Sequence, residues 1–223
     1  MIEQYFEKGF TYDWNAPRPV ETGRTDMDGS IVLSGSSHPP QLRFSGYYPK
    51  LFAAGAPAPT TTLAIGTPIR HRWLDYVVGR TAYARSTNTD VLTGFMSGCW
   101  ICSWVSRHGN RRVGHIGTTS IAADNLPPNT TVKEFFLTSE AMDRGSHIRG
   151  YNPAQAVPFH EQRQFLNDPS RYIQIPHIMS LVTTNNEFYS IIMLQTKTPG
   201  KWICGGKRRV HSSDRRGIQT ALA

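Results

Sequence analysis

Residues 99–105 read CWICSWV, and few architectures can hold such a run. Side chains alternate across a strand, so Trp100 and Trp104 fall on one face and Ile101 on the other. Large groups on both faces leave no side for water. The strand therefore belongs in the middle of a sheet that is covered above and below. His108-Gly109-Asn110 is a turn signal, and residues 112–116 (RVGHI) return along the first strand, so the two make a hairpin.

The rest of the chain supplies material for such a sheet and its covers. Residues 178–184 and 188–196 read as strands joined across Asn185-Asn186, with further strands at 172–175 and, as an edge, 201–204. Residues 132–142 (VKEFFLTSEAM) predict a helix, capped by Asn129 or Thr130, and residues 154–166 predict a second. Residues 69–78 are ambiguous between helix and strand, and residues 90–95 lead to the Ser97-Gly98 corner. Residues 1–62 form a loop-rich N-terminal region with short strands at 30–34 and 41–44, and residues 53–62 read as a linker or surface loop. Many strands and few helices without regular βαβ units predict an α/β (α+β) fold. Its form is a mixed β-sheet sandwich flanked by helices, a single domain over residues 1–223.

The net charge of +8 favours an acidic partner without naming one. Lys201, Lys207, Arg208, Arg209, Arg215 and Arg216 crowd the C-terminal end, so residues 205–223 are expected to be a basic, solvated tail. Three cysteines are too few for a disulfide scaffold and imply reduced thiols. The start of the chain lacks the pattern of a signal peptide, and no run reaches the roughly 18 apolar residues of a spanning helix. A soluble protein with no membrane partner is expected. If it leaves its cell, a dedicated translocation system must carry it.

Two cysteines of the run allow several chemistries. Cys99 and Cys102 have the spacing of a redox pair, but in a strand the two sulfurs point to opposite faces. A zinc site built from Cys99, Cys102, His108 and Cys204 meets the same obstacle. A third reading is nucleophilic. Gly98 permits close approach at the turn, Cys99 starts the strand, and the backbone N–H of Cys99 can point to a developing oxyanion. The returning strand brings His115 opposite the start of the Cys99 strand, where it can serve as base, whereas His108 sits in the turn. The alternative is structural: a buried strand cysteine acting as a small hydrophobe and a histidine with an ordinary polar role.

The segment TGFMSGCWICSWVSRHGNRRVGHIGT, residues 93–118, resembles the catalytic region of the papain-like glutamine deamidase toxins. These include the cytotoxic necrotizing factors and Burkholderia lethal factor. The family's Leu-Ser-Gly-Cys motif stands here as Met96-Ser97-Gly98-Cys99, and its histidine matches His115. The lethal factor also carries a threonine six residues before its cysteine, where this chain has Thr93. Chemotaxis receptor deamidases share the order Thr, Cys, His on a related fold.

The resemblance implies a catalytic set of Cys99, His115 and Thr93, with Ser97 and Gly98 at the substrate and oxyanion position and no metal or cofactor. It implies conversion of a target-protein glutamine to glutamate. The expected setting is a toxin or effector secreted without a classical signal peptide and acting in the host cytoplasm. The target is a host protein, with small GTPases and translation factors as the family's known classes, and a secretion chaperone is a further partner. Trp100 and Trp104 are expected in the core, and Cys102 and Cys204 are expected to be inert. Two other readings remain open: another Cys–His hydrolase, such as a protease or transglutaminase, and a non-enzymatic basic protein that binds nucleic acid. The second lacks a recognisable nucleic-acid motif, so nucleic acid is not the expected partner.

Overall fold

Alternation along the strands divides the protein into three cores. The computed structural model describes residues 2–15, 26–36, 66, 68–77, 81–96, 98–117, 131–157 and 176–222. In the strand Phe188–Gln195, Phe188, Ile192 and Leu194 enter one apolar cluster, whereas Tyr189, Ile191 and Met193 enter another. Such a two-faced strand must separate two layers of packing.

The strands are β1 (Phe10–Asp13), β2 (Asp26–Ser36), β3 (Pro68–Leu74), β4 (Thr81–Arg85), β5 (Val91–Met96), β6 (Trp100–Val105), β7 (Arg111–Ile116), β8 (Ser146–Tyr151), β9 (His177–Val182), β10 (Phe188–Gln195) and β11 (Lys201–Val210). Seven of them close a barrel in the order β1-β11-β10-β9-β5-β3-β2, and the other four form a sheet in the order β4-β7-β6-β8. All described pairings are antiparallel except β3 with β5. Among the described residues, the α-helices are α1 (Val132–Leu137), α2 (Glu140–Arg144) and α3 (Arg215–Leu222).

The barrel interior is filled by Tyr12, Trp14, Trp73, Leu92, Met179, Leu181, Trp202 and their neighbours. The second core lies between the barrel and the four-stranded sheet and includes Ala82, Val91, Cys99, Ile101, Val113 and Val182. The third lies on the outer face of that sheet, where Trp100, Cys102 and Trp104 pack against Val132 and Phe136 of α1 and Ile218 and Leu222 of α3. The expected α/β fold, a single domain of packed sheets with flanking helices, is what the chain forms. One of the two sheets is curled into a barrel. The turn of the β9–β10 hairpin is fastened to the sheet: Ser103 Oγ donates to Asn186 Oδ1 at 2.5 Å, and the Arg111 guanidinium donates to Thr184 O.

Several local expectations differ from the structure. The ambiguous residues 69–78 contribute the strand β3, and β11 is no edge, because it pairs with both β10 and β1. The expected single helix over 132–142 is two. Thr138 Oγ1 donates to Phe135 O and Ser139 Oγ to Phe136 O, which competes with the helical ladder at the break. Its cap is Thr131, in a reciprocal capping box with Glu134.

Residues 205–223 are no solvated tail in their described part, 205–222. They complete β11 and form α3, whose Ile218 and Leu222 are buried. Several of the basic side chains there have partners within the fold. Lys207 pairs with Glu7 at 2.6 Å, Arg209 with Glu187 at 2.6 Å, and Arg208 donates to Ala156 O at 2.9 Å. The strands expected at 41–44 and 172–175, the linker 53–62 and most of the helix expected at 154–166 lie outside the described residues.

The outer core is packed tightly around Cys102. A Cβ on Gly150 would stand 2.5 Å from Cys102 Sγ and 3.1 Å from Ile218 Cδ1. Gly150→Ala is therefore expected to destabilise the fold by about 1–3 kcal/mol, the usual range for overpacking. Adding Cys102→Ala, which removes the sulfur, should recover a large part of that loss. Urea unfolding of the single and double variants checks this, and simple additivity of the two changes would refute the packing role given to Cys102.

Candidate active site

The three cysteines occupy three different cores: Cys99 between barrel and sheet, Cys102 on the outer face of the sheet, and Cys204 inside the barrel. None of the three forms a disulfide. The alternation that separates Cys99 from Cys102 removes both the dithiol and the four-ligand zinc readings. Burial pushes the Cys102 thiol far above its ordinary range and the Cys204 thiol up to about 12, so neither ionises near neutral pH. Cys99 keeps 7% of its surface exposed, whereas the other two are wholly buried. Among the described residues, no group of three His, Cys, Asp or Glu side chains is arranged to hold a metal ion.

His115 lies on β7 with its ring in the space between the two sheets. The turn that closes the hairpin, with Ser106 N donating to Asn110 O at 2.9 Å, pairs Val105 with Arg111 and so sets the register. That register puts Ile101, not Cys99, directly opposite His115. Cys99 is two residues further along the same face of β6. It stands diagonally from His115, a relation in which neighbours are about 7–8 Å apart at the backbone. The expected direct opposition is thus replaced by a diagonal one, because the turn is two residues longer than direct opposition would require.

Thr93 comes to His115 from the other sheet. Leu92 points into the barrel, so Val91 and Thr93 point outward, towards the four-stranded sheet. Thr93 Oγ1 lies 2.8 Å from His115 Nδ1, with both side chains almost wholly buried. The ring of Tyr76 packs against the imidazole with centroids 5.3 Å apart. His115 Nε2 is buried and has no hydrogen-bond partner. Burial lowers the His115 pKa from 6.5 to about 4, so the ring is neutral at pH 7. A neutral imidazole held at one nitrogen and open at the other, on the same face as a thiol, has the parts of a base and nucleophile pair.

The approach to Cys99 has a support that the sequence did not suggest. Asn152 Nδ2 donates to Gly98 O at 3.2 Å, while Asn152 Oδ1 accepts from the backbone N–H groups of Ala154 and Gln155 at 3.0 and 3.2 Å. Asn152-Pro153 can be read as a turn signal, but nothing in the sequence puts that turn beside Gly98. Ser97 lies outside the described residues. Searched against family models, curated proteins and solved structures, the chain has no match.

Proposed function

We propose that the chain is a protein-glutamine deamidase that works by Cys–His thiol chemistry. The observation that carries this reading is the buried 2.8 Å contact between Thr93 and His115, made on the face that also carries Cys99. With its proton on Nδ1, His115 donates to Thr93 Oγ1, and the lone pair on Nε2 takes the proton of the Cys99 thiol. The thiolate attacks the carboxamide carbon of the glutamine, and backbone donors at the turn into β6 stabilise the oxyanion. The imidazolium returns its proton to the departing ammonia, leaving a thioester. Water, deprotonated by the same imidazole, then releases glutamate and the free thiol. This scheme uses no metal or cofactor.

The resemblance extends the proposal to an effector acting on a host protein of the GTPase or translation-factor class. Nucleic acid is the weaker alternative, because Lys207, Arg208 and Arg209 are bound to partners within the fold. The test is mass spectrometry of a eukaryotic lysate treated with wild type or Cys99→Ser. Glutamine-to-glutamate conversion at a defined site, present with wild type alone, is the expected result. Cleaved backbones or amine cross-links would instead assign the same pair to a protease or transglutaminase. No change in either a eukaryotic or a bacterial lysate would sink the enzymatic reading.

A further inference from the structure

The outer face of the four-stranded sheet, turned away from Cys99 and His115, carries an open cleft beneath α1 and α2. Its volume is about 250 Å³. Trp104, Tyr83, Phe135 and Phe136 line it, and the Trp104 and Phe136 rings meet edge to face with centroids 6.1 Å apart. Gly114 makes room for the Trp104 ring, since a Cβ there would stand 2.8 Å from it. The rim is apolar and open, with Tyr83 and Phe135 nearly half exposed.

Polar atoms of residues that line this cleft are unsatisfied. Thr81 Oγ1, Ser106 Oγ and Arg112 Nε are each buried and without a hydrogen-bond partner. Arg112 is held with its guanidinium 4.8 Å from the centroid of the Tyr83 ring, and no carboxylate among the described residues pairs with it. Buried donors left unpaired are costly, and folded proteins keep few of them. Three around one cleft call for a ligand that answers them.

The chemistry of the lining defines that ligand. A guanidinium fork favours a carboxylate. Aromatic walls favour the edge or face of another ring. An apolar cavity of about 150 Å³ accepts benzene, so this cleft has room for a ring and an acid group. We propose that it binds a small aromatic carboxylate, with the acid on Arg112, the hydroxyls of Thr81 and Ser106 completing its hydrogen bonds, and the ring against Trp104, Tyr83 and Phe135. The site goes beyond the proposed deamidation and is separate from the Cys99 face.

Calorimetric titration with 3-phenylpropionate, and with 3-phenylpropionamide as its neutral counterpart, tests the proposal. The wild-type protein should bind the acid at least about tenfold more tightly than the amide, the discrimination expected of one charge-assisted contact. Arg112→Gln should remove that preference, Ser106→Ala should weaken the acid alone, and Cys99→Ser should bind as wild type does. If Arg112→Gln does not fold, the acid-to-amide ratio of the wild type and the Ser106→Ala result decide. Absence of binding at millimolar acid, equal affinity for acid and amide, or unchanged binding by a folded Arg112→Gln would each overturn the assignment.

Discussion

His115→Ala is expected to lower glutamine conversion by about 10²–10⁴-fold, the range lost with a general base. Cys99→Ser should be at least as inactive, because the hydroxyl does not replace the thiol as nucleophile. Cys102→Ser should retain most activity, since its sulfur lies on the opposite face of the sheet, in the outer core. Thr93→Val should fall between these, by about 10-fold or more, because it removes the contact that holds Nδ1 while leaving a residue of similar shape. Circular dichroism of each variant separates loss of chemistry from loss of fold, and His115→Gln serves if the alanine variant unfolds. Alkylation with iodoacetamide gives an independent reading: Cys99 should react first, ahead of the two wholly buried thiols. A dead Cys102→Ser together with an active Cys99→Ser would remove Cys99 from the mechanism.

The second large effect is on stability in acid. Burial lowers the pKa of both His115 and His71 from 6.5 to about 4, and lowers that of His177 as well. The unfolded chain therefore binds more protons than the folded one between about pH 6.5 and pH 4. Stability is fully present above pH 6.5 and is lost as the pH falls through that window. Each of His115 and His71 contributes about 3 kcal/mol to the loss, at 1.36 kcal/mol for each pKa unit. Asp75 acts in the opposite sense, since burial raises its pKa and the fold takes up that proton first.

Together the two histidines are comparable to the lower end of the about 5–15 kcal/mol by which domains are ordinarily stable, so a large fall in stability by pH 4.5 is expected. Urea midpoints at pH 7, 5.5 and 4.5 measure the slope. His115→Gln should flatten it by about one histidine's share, and a midpoint constant over that range would show that these rings are not held neutral.

The readable parts of the fold were those in which a local pattern has one solution. Alternation in residues 99–105, with Gly109 at φ 76° in the turn, specified the β6–β7 hairpin almost to its ends. The strands β4 (TAYAR) and β8 (SHIRGY) gave no such signal, because alanine, arginine, glycine and serine dominate them. They are strands because β7 and β6 offer them open hydrogen-bonding edges. Barrel closure was equally hidden, since it joins β1 to β11 across nearly the whole chain.

The candidate site divides along the same line. Residue spacing by itself determined that Cys99 and Cys102 point apart, and that a histidine returns on the neighbouring strand, because both follow from the two-residue period of a strand and one tight turn. Only the tertiary structure decided that Ile101 faces His115, that Asn152 holds the Gly98 carbonyl, and that Thr93 reaches across from the barrel to Nδ1. Alternation names the face a residue points to. Which layer covers that face depends on how distant strands share their apolar surface, and no short stretch of sequence contains that information.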